Sequence, residues 1–284
     1  MTPSKIPALV INLASQVERM ALMTRQLDML GLPIQRIEAV TPPTTAAMTQ
    51  AIGARFAEGM LSETEIAVFL SQMSAWKWIA ESGHEWGLVL EDDVLFSRDA
   101  RAGIDFAAAR ATKGMVRIEA WRDKRQVVGR GTVARQRGGF RIYDYHHGAF
   151  GAAGYLLRAD LARELLARDT LLSVPVDLEL FDMDHGARPP CQVLYPAVAV
   201  QSDKVHELKL KPGSPWARAG LPVFETGIEH TEHWMPDTTP KKAKKGLGDL
   251  IRAEWESYKW RQGFKRQGMD RMRIPLSESG PLLD

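Results

Sequence analysis

The stretch WGLVLEDDVLF, residues Trp86 to Phe96, decides how the rest of the chain is read. Leu88, Val89 and Leu90 form an apolar run, three acids follow (Glu91, Asp92 and Asp93), and Val94, Leu95 and Phe96 resume the run. A buried strand that ends in acids puts carboxylates at the rim of a sheet, where open α/β folds bind ligands. Side chains alternate along a strand, so Glu91 and Asp93 are expected to point one way and Asp92 the other. Adjacent carboxylates repel one another unless a cation lies among them. Oxygen-only ligands suit Mg²⁺ or Mn²⁺, ions that bridge proteins to diphosphates. A metal–diphosphate site is one reading of this stretch. A solvated acidic loop after a strand is the other.

Upstream, Ala8 to Ile11 reads as a first strand closed by Asn12-Leu13. A helix from Gln16 to Met29 follows, with Ser15 as N-cap and Glu18 as its capping-box partner. Gly31 and Pro33 stop it, and Ile34 to Val40 is a second strand. This βαβ unit predicts a parallel sheet. It has no Gly-x-Gly-x-x-Gly after the strand, which argues against a dinucleotide fold. A helix is expected over Ala46 to Met60. Another is expected from Ser62, capped with Glu65, to about Glu81, and its apolar stripe reads as core.

Downstream of the acids, Ala100 to Ala111 reads as a helix and Met115 to Ala120 as a strand. The Arg- and Gly-rich stretch from Arg122 to Arg141 reads as a hairpin or loop, either solvated or contacting anionic groups. Gly151-Ala152-Ala153-Gly154 would let backbone approach a ligand or another strand closely. Asp160 is expected to cap a helix running to Ala167. A second acid set, Asp177, Glu179 and Asp182, follows Pro175, and Val193 to Val200 is the last apolar run. Tyr155 reads as core. His146, His147 and His206 are metal-shell candidates or ordinary histidines.

At 284 residues the chain suffices for one large domain with an appendage or for two small domains, and its 45% hydrophobic and 25% charged residues are ordinary globular values. The net charge of +2 is unevenly spread. Residues 241–284 hold 11 Lys and Arg against 6 Asp and Glu, leaving 26 against 29 on the rest. A basic helix from Lys241 to about Arg266, with interleaved Trp and Tyr, suits an anionic membrane face. No nucleic-acid reader motif accompanies it. A single cysteine, Cys191, makes no internal disulfide and fits a reducing, cytoplasmic compartment. No apolar stretch reaches the roughly 18 residues that span a bilayer, so any membrane association is expected to be peripheral, on the inner face.

Taken in order, several stretches resemble glycosyltransferase family 25, the bacterial lipooligosaccharide galactosyltransferase family. They are Val10-Ile11-Asn12-Leu13 with Arg19, Glu38-Ala39-Val40, Leu61-Ser62 through Glu65-Ile66, Ser71 through Trp76, Leu88 to Val94, Gly151 to Leu156, and Pro175-Val176-Asp177. The resemblance covers about residues 5 to 205. Gln72 stands where the family has His, and Thr41-Pro42 where Asp-Gly is frequent. The resemblance implies a GT-A-like α/β fold over 1–205, with a central, mostly parallel sheet between helices. Residues 206–284 are then an irregular connection and a basic helical extension.

The resemblance also implies a UDP-sugar donor such as UDP-galactose, Mn²⁺ or Mg²⁺, a glycan or lipid-linked saccharide acceptor, and inversion at the anomeric carbon. Asn12, Leu13, Arg19, Val40, Glu91 and Asp92 would contact the donor. Asp93 and Glu91 would hold the metal, and Asp177 would be the base. Glu179 and Asp182 are alternatives, and Asp177 is otherwise a helix cap. A family member that binds a nucleotide or glycan with little turnover is the alternative function.

Overall fold

The computed structural model describes residues 6–122, 125–129, 134–135, 139–148, 151–181, 189–224 and 268–283. In chain order, the first half comprises β1 (Ala8–Asn12), α1 (Val17–Leu30), β2 (Ile34–Glu38), α2 (Thr45–Ile52), α3 (Glu63–Glu81), β3 (Trp86–Glu91), β4 (Val94–Phe96), α4 (Ala100–Arg110) and β5 (Met115–Arg117). The remainder comprises β6 (Arg125–Gly129), β7 (Ala134–Arg135), β8 (Arg141–His147), β9 (Gly154–Arg158), α5 (Ala159–Leu166), α6 (Val176–Phe181), β10 (Cys191–Tyr195), β11 (Ala199–Gln201), α7 (Pro215–Arg218) and β12 (Met269–Arg273).

One sheet runs in the order β12-β6-β8-β10-β5-β9-β3-β1-β2, with β7 beside β8. β1 lies parallel to both β2 and β3. β9 is antiparallel to β3 and β5, and β10 is parallel to β5. In the six strands from β2 to β10, β9 alone is therefore reversed, which gives the α/β class and mostly parallel core that the βαβ reading anticipates. The outer strands β8, β6 and β12 pair antiparallel.

Alternation along the strands feeds two apolar layers, one on each face. Leu9, Val89, Tyr155 and Val193 pack with Phe69, Trp76 and Ile79 of α3 and with α5 and α6. Val10, Leu88, Leu90 and Leu156 pack on the other face with Met23 and Leu27 of α1 and Ile104 of α4. Covering both faces explains why these strands read as continuous apolar runs.

Several helix ends follow local chemistry. Ser62 and Glu65 close a capping box at the start of α3, as their spacing predicts. Gly31, at φ 62°, ends α1. Others differ from expectation. α1 starts after Gln16 with no side-chain cap, so Ser15 does not cap it; Asn12 Nδ2 instead donates to the Gln16 carbonyl. The helix expected to reach Met60 stops at Ile52, because Gly53 takes φ 77°. α5 begins at Ala159 with Asp160 in its first turn, where it pairs with Arg158. The apolar run Val193 to Val200 splits into β10 and β11 around Pro196, which has no N–H for a ladder.

The C-terminal segment returns to the body: β12 pairs with β6, and Leu282 N donates to the Phe96 carbonyl. The basic segment Lys241 to Arg266 lies outside the described residues. Among the described residues no helix is long and apolar enough to cross a membrane.

Candidate active site

The acid stretch is a tight turn between β3 and β4, held from three sides. Gln26 of α1 donates to the Val94 carbonyl and accepts from Phe96 N, which satisfies these two buried backbone groups of β4. β1 runs beside β3 with Ile11 opposite Glu91, so Asn12 and Asp92 meet. Asn12 Nδ2 donates to Asp92 at 2.7 Å, and Arg19 donates to its other oxygen at 3.1 Å. The Arg19 guanidinium also lies over the Phe224 ring. Both Asp92 oxygens are thus engaged within the protein.

Glu91 and Asp93 face elsewhere. β11 pairs with β4 and brings Gln201 opposite Val94. From there Gln201 Nε2 donates to Glu91 at 3.0 Å and reaches Asp93 at 3.5 Å. Oδ1 of Asp93 is buried and has no hydrogen-bond partner among the described residues. Burial pushes the Asp93 carboxyl up to about 6, with Asp92 and Asp203 adding to the rise. Glu91 is pushed well above the usual range by burial and by the charges of Asp93, Glu119, Asp92 and Asp177.

Glu119, which the sequence reading does not single out, is 1% exposed and pairs with buried Arg117 at 2.7 Å. Burial outweighs that arginine and raises the carboxyl to about 7. Among the described residues, Glu91, Asp92, Asp93, Glu119, Asp177 and Asp203 thus gather around the end of the sheet.

Asp177 lies in the first turn of α6. It accepts from its neighbour Leu178 N at 3.0 Å and, across the chain, from Gly151 N at 3.1 Å. Gly151 has φ 90°, and a Cβ there would lie 2.5 Å from the Trp121 ring. Only glycine presents its N–H in this way. The small-residue run continues the close approach: Ala152 O accepts from Gln72, and Ala153 O accepts from Glu91 N. Gln72 is fixed in turn by Tyr155, whose hydroxyl donates to it at 2.7 Å and accepts from Trp76. Tyr155 is fully buried, as a core residue would be.

Two cavities flank Glu91. A cavity of about 330 Å³ is lined by Leu13, Arg19, Val40, Glu91, Asp92 and Asp93, together with Ser71 and Gln72. The second, of about 140 Å³, is lined by Glu91, Asp177, Gly151, Gln201, Arg122 and Lys204. Glu91 and Val68 belong to both walls, so the cavities adjoin. The predicted donor contacts therefore share one cavity, except Asn12, which lies behind it on Asp92. Glu179 lines a separate small cavity with Arg55 and Trp76. Asp182 lies outside the described residues, and His206 is exposed.

Gln201, Glu119, Arg122 and Lys204 join the site without a local signal beyond a polar residue at the end of an apolar run. Among the described residues no three His, Cys, Asp or Glu side chains converge as a closed metal cage. Mg²⁺-type sites use one or two carboxylates and complete their shell with phosphate oxygens and water. The unpartnered Asp93 oxygen beside Glu91 fits that kind of open donor set.

Comparison with known proteins identifies the family of the chain. The model of glycosyltransferase family 25 (LPS biosynthesis protein) matches residues 5–180. Two curated proteins of Neisseria meningitidis serogroup B are similar. The lacto-N-neotetraose biosynthesis glycosyltransferase LgtE is 29% identical over 68% of this chain and 72% of its own length. The corresponding LgtB is 30% identical over 68% and 74%. Among solved structures, mannose-1-phosphate geranyltransferase from Thermus thermophilus aligns at a TM-score of 0.32 and 11% identity, over 65% of this chain and 57% of that one. A likeness that distant carries no argument.

Proposed function

The chain belongs to glycosyltransferase family 25, and we propose that it transfers a hexose, galactose first among them, from a UDP-sugar to a saccharide acceptor of lipooligosaccharide. The observation that carries this reading is the pair of adjoining cavities that share Glu91 as a wall. A donor in the larger cavity would place its diphosphate by Asp93, with Leu13, Arg19 and Val40 around the nucleotide. Its sugar would then lie toward Glu91, at the mouth of the smaller cavity.

An acceptor hydroxyl entering that cavity meets Asp177. The carboxylate takes the hydroxyl proton as the oxygen attacks the anomeric carbon, and UDP departs from the opposite face, which inverts the configuration. Backbone donation from Gly151 and Leu178 holds Asp177 in place. Glu91 and Asp93 would hold Mn²⁺ or Mg²⁺. When bound, the ion offsets the charge of the leaving diphosphate. The basic segment 241–266 would attach the enzyme peripherally to the cytoplasmic membrane face, where a lipid-linked acceptor is presented.

A screen of UDP-sugars with Mn²⁺ tests the reading by product formation and by UDP binding in calorimetry. Asp177→Asn should lower transfer by about 10²- to 10⁴-fold while donor affinity holds. Asp93→Ala should abolish transfer together with metal-dependent UDP binding. Normal turnover by the Asp93 variant would end the assignment, and binding without turnover in the wild type would favour the alternative of a weakly catalytic family member.

A further inference from the structure

A chain of hydrogen bonds runs behind the two adjoining cavities. Trp76 Nε1 lies 2.6 Å from the Tyr155 hydroxyl, which lies 2.7 Å from Gln72 Oε1, and Gln72 Nε2 lies 3.3 Å from the Ala152 carbonyl oxygen. Trp76, Tyr155 and Gln72 are all buried. Gln72 is a wall residue of the larger cavity, and Ala152 is one of the Asp177 cavity. The bond between them therefore spans the junction of the two, where the transferase reading places the donor's sugar.

This chain can run in one direction only. An indole N–H donates and cannot accept, so the Tyr155 hydroxyl accepts from Trp76 and gives its own proton to Gln72. Burial pushes that hydroxyl far above its ordinary value, so it keeps the proton. The Gln72 atom that meets it is then the amide oxygen, and the amide nitrogen faces a carbonyl, which only accepts. Both ends thus hold the amide against a flip. An amide nitrogen carries two hydrogens, and Ala152 takes one. Among the described residues nothing accepts the second. The neighbouring Ser71, on the same wall, is spent within the protein: its hydroxyl donates to the Ala67 carbonyl and accepts from Val40 N.

We propose that Gln72 determines donor specificity: its second amide hydrogen donates to one hydroxyl of the transferred hexose. The inference rests on the transferase reading and deepens it, because the donor must carry an oxygen at that carbon of its sugar. A buried amide hydrogen left without an acceptor is costly, and a ligand oxygen relieves that cost. A site built in this way discriminates against the sugar that lacks the hydroxyl. The junction of the cavities selects the sugar over the nucleotide, which in that reading lies by Leu13, Arg19 and Val40. Tyr155 and Trp76 do not touch the donor. They are positioning residues, which turn the nitrogen of the amide rather than its oxygen toward the cavity.

The test titrates UDP, UDP-galactose and the monodeoxy analogues of UDP-galactose, one for each sugar hydroxyl, into the full-length protein with Mn²⁺, read by calorimetry. In the wild type one analogue should bind about tenfold more weakly than UDP-galactose. In Gln72→Met that ratio should fall to about one, while the other ratios and the affinity for UDP hold. A merely structural role would not single out one hydroxyl. Gln72→Glu keeps the shape of the side chain and removes its N–H, so it serves if the Met variant misfolds, and circular dichroism checks both. Tyr155→Phe, which frees the amide to turn, should lower the same ratio part of the way; an unchanged ratio there overturns the positioning role of the chain. Wild-type ratios retained in both Gln72 variants, or equal losses of UDP and UDP-galactose affinity, overturn the proposal. So does a wild type that binds every analogue as tightly as UDP-galactose. A wild type that binds neither UDP nor UDP-galactose refutes the transferase reading itself, and this inference with it.

Discussion

Burial governs the acids of the site one residue at a time. Glu119 is raised from an ordinary 4.5 to about 7 because desolvation exceeds the attraction of Arg117. Between those values the folded chain keeps a proton that the unfolded chain has released. Stability should therefore fall as pH rises from about 4.5 to about 7 and level off above that range. Asp93, raised to about 6, adds a contribution of the same sign. Calorimetric melting in a chelator should show the wild type losing about 5 °C between pH 5 and 8. Glu119→Gln should show a visibly flatter profile, with Asp93 and Glu91 supplying the remainder. A wild-type slope retained in full by the variant would mean that Glu119 is ionised throughout. Glu119 also shows how far single residues are legible. Its place at the end of a short apolar strand is visible in the chain, but its burial beside Asp93 and Asp177 is not.

Among the elements, β3 and α3 carry the site. α3 is readable from its ends inward, since a capping box is a matter of four consecutive residues. The packing of α3 on β3 is not local. A Cβ on Gly87 would lie 2.5 Å from Ile79 of α3 and 3.0 Å from Leu9 of β1. Gly87→Ala should therefore destabilise by about 1–3 kcal/mol through overpacking, read as a lower denaturant midpoint at unchanged m-value. Ile79→Val in the same chain should recover part of the loss by clearing the contact. Failure of that rescue would locate the strain elsewhere. The helix expected to reach Met60 fails for an equally local reason, the positive φ of Gly53, which composition alone does not reveal.

Across the whole molecule, a simple truncation of the C-terminus would confuse a structural role with the membrane role proposed for the basic segment. Residues 268–283 belong to the body. β12 pairs with β6, Ser277 Oγ donates to Asp99, and Gly280 O accepts from Arg98 N. Deleting everything after residue 240 would strip that edge of the sheet as well as the basic segment. Charge reversal at Lys241, Lys242, Lys244 and Lys245 to Glu isolates the segment instead. The expected outcome is loss of cosedimentation with anionic vesicles, with transfer to a soluble acceptor retained. Loss of transfer to the soluble acceptor would place the segment in the catalytic machinery.

The chain by itself determined its strand-and-helix alternation, the α3 cap, the acid-tipped strand and its likeness to a glycosyltransferase family. All of these depend on neighbours within a few residues or on the order of such stretches. Only the tertiary structure decided that Asp92 is spent on Asn12 and Arg19 while Glu91 and Asp93 share Gln201, which is more than 100 residues away. It also brought Asp177 to Gly151 and set Glu91 between two cavities. The reason is that strand order and register, which fix who faces whom at the rim of a sheet, are settled by packing across both faces rather than by any one segment.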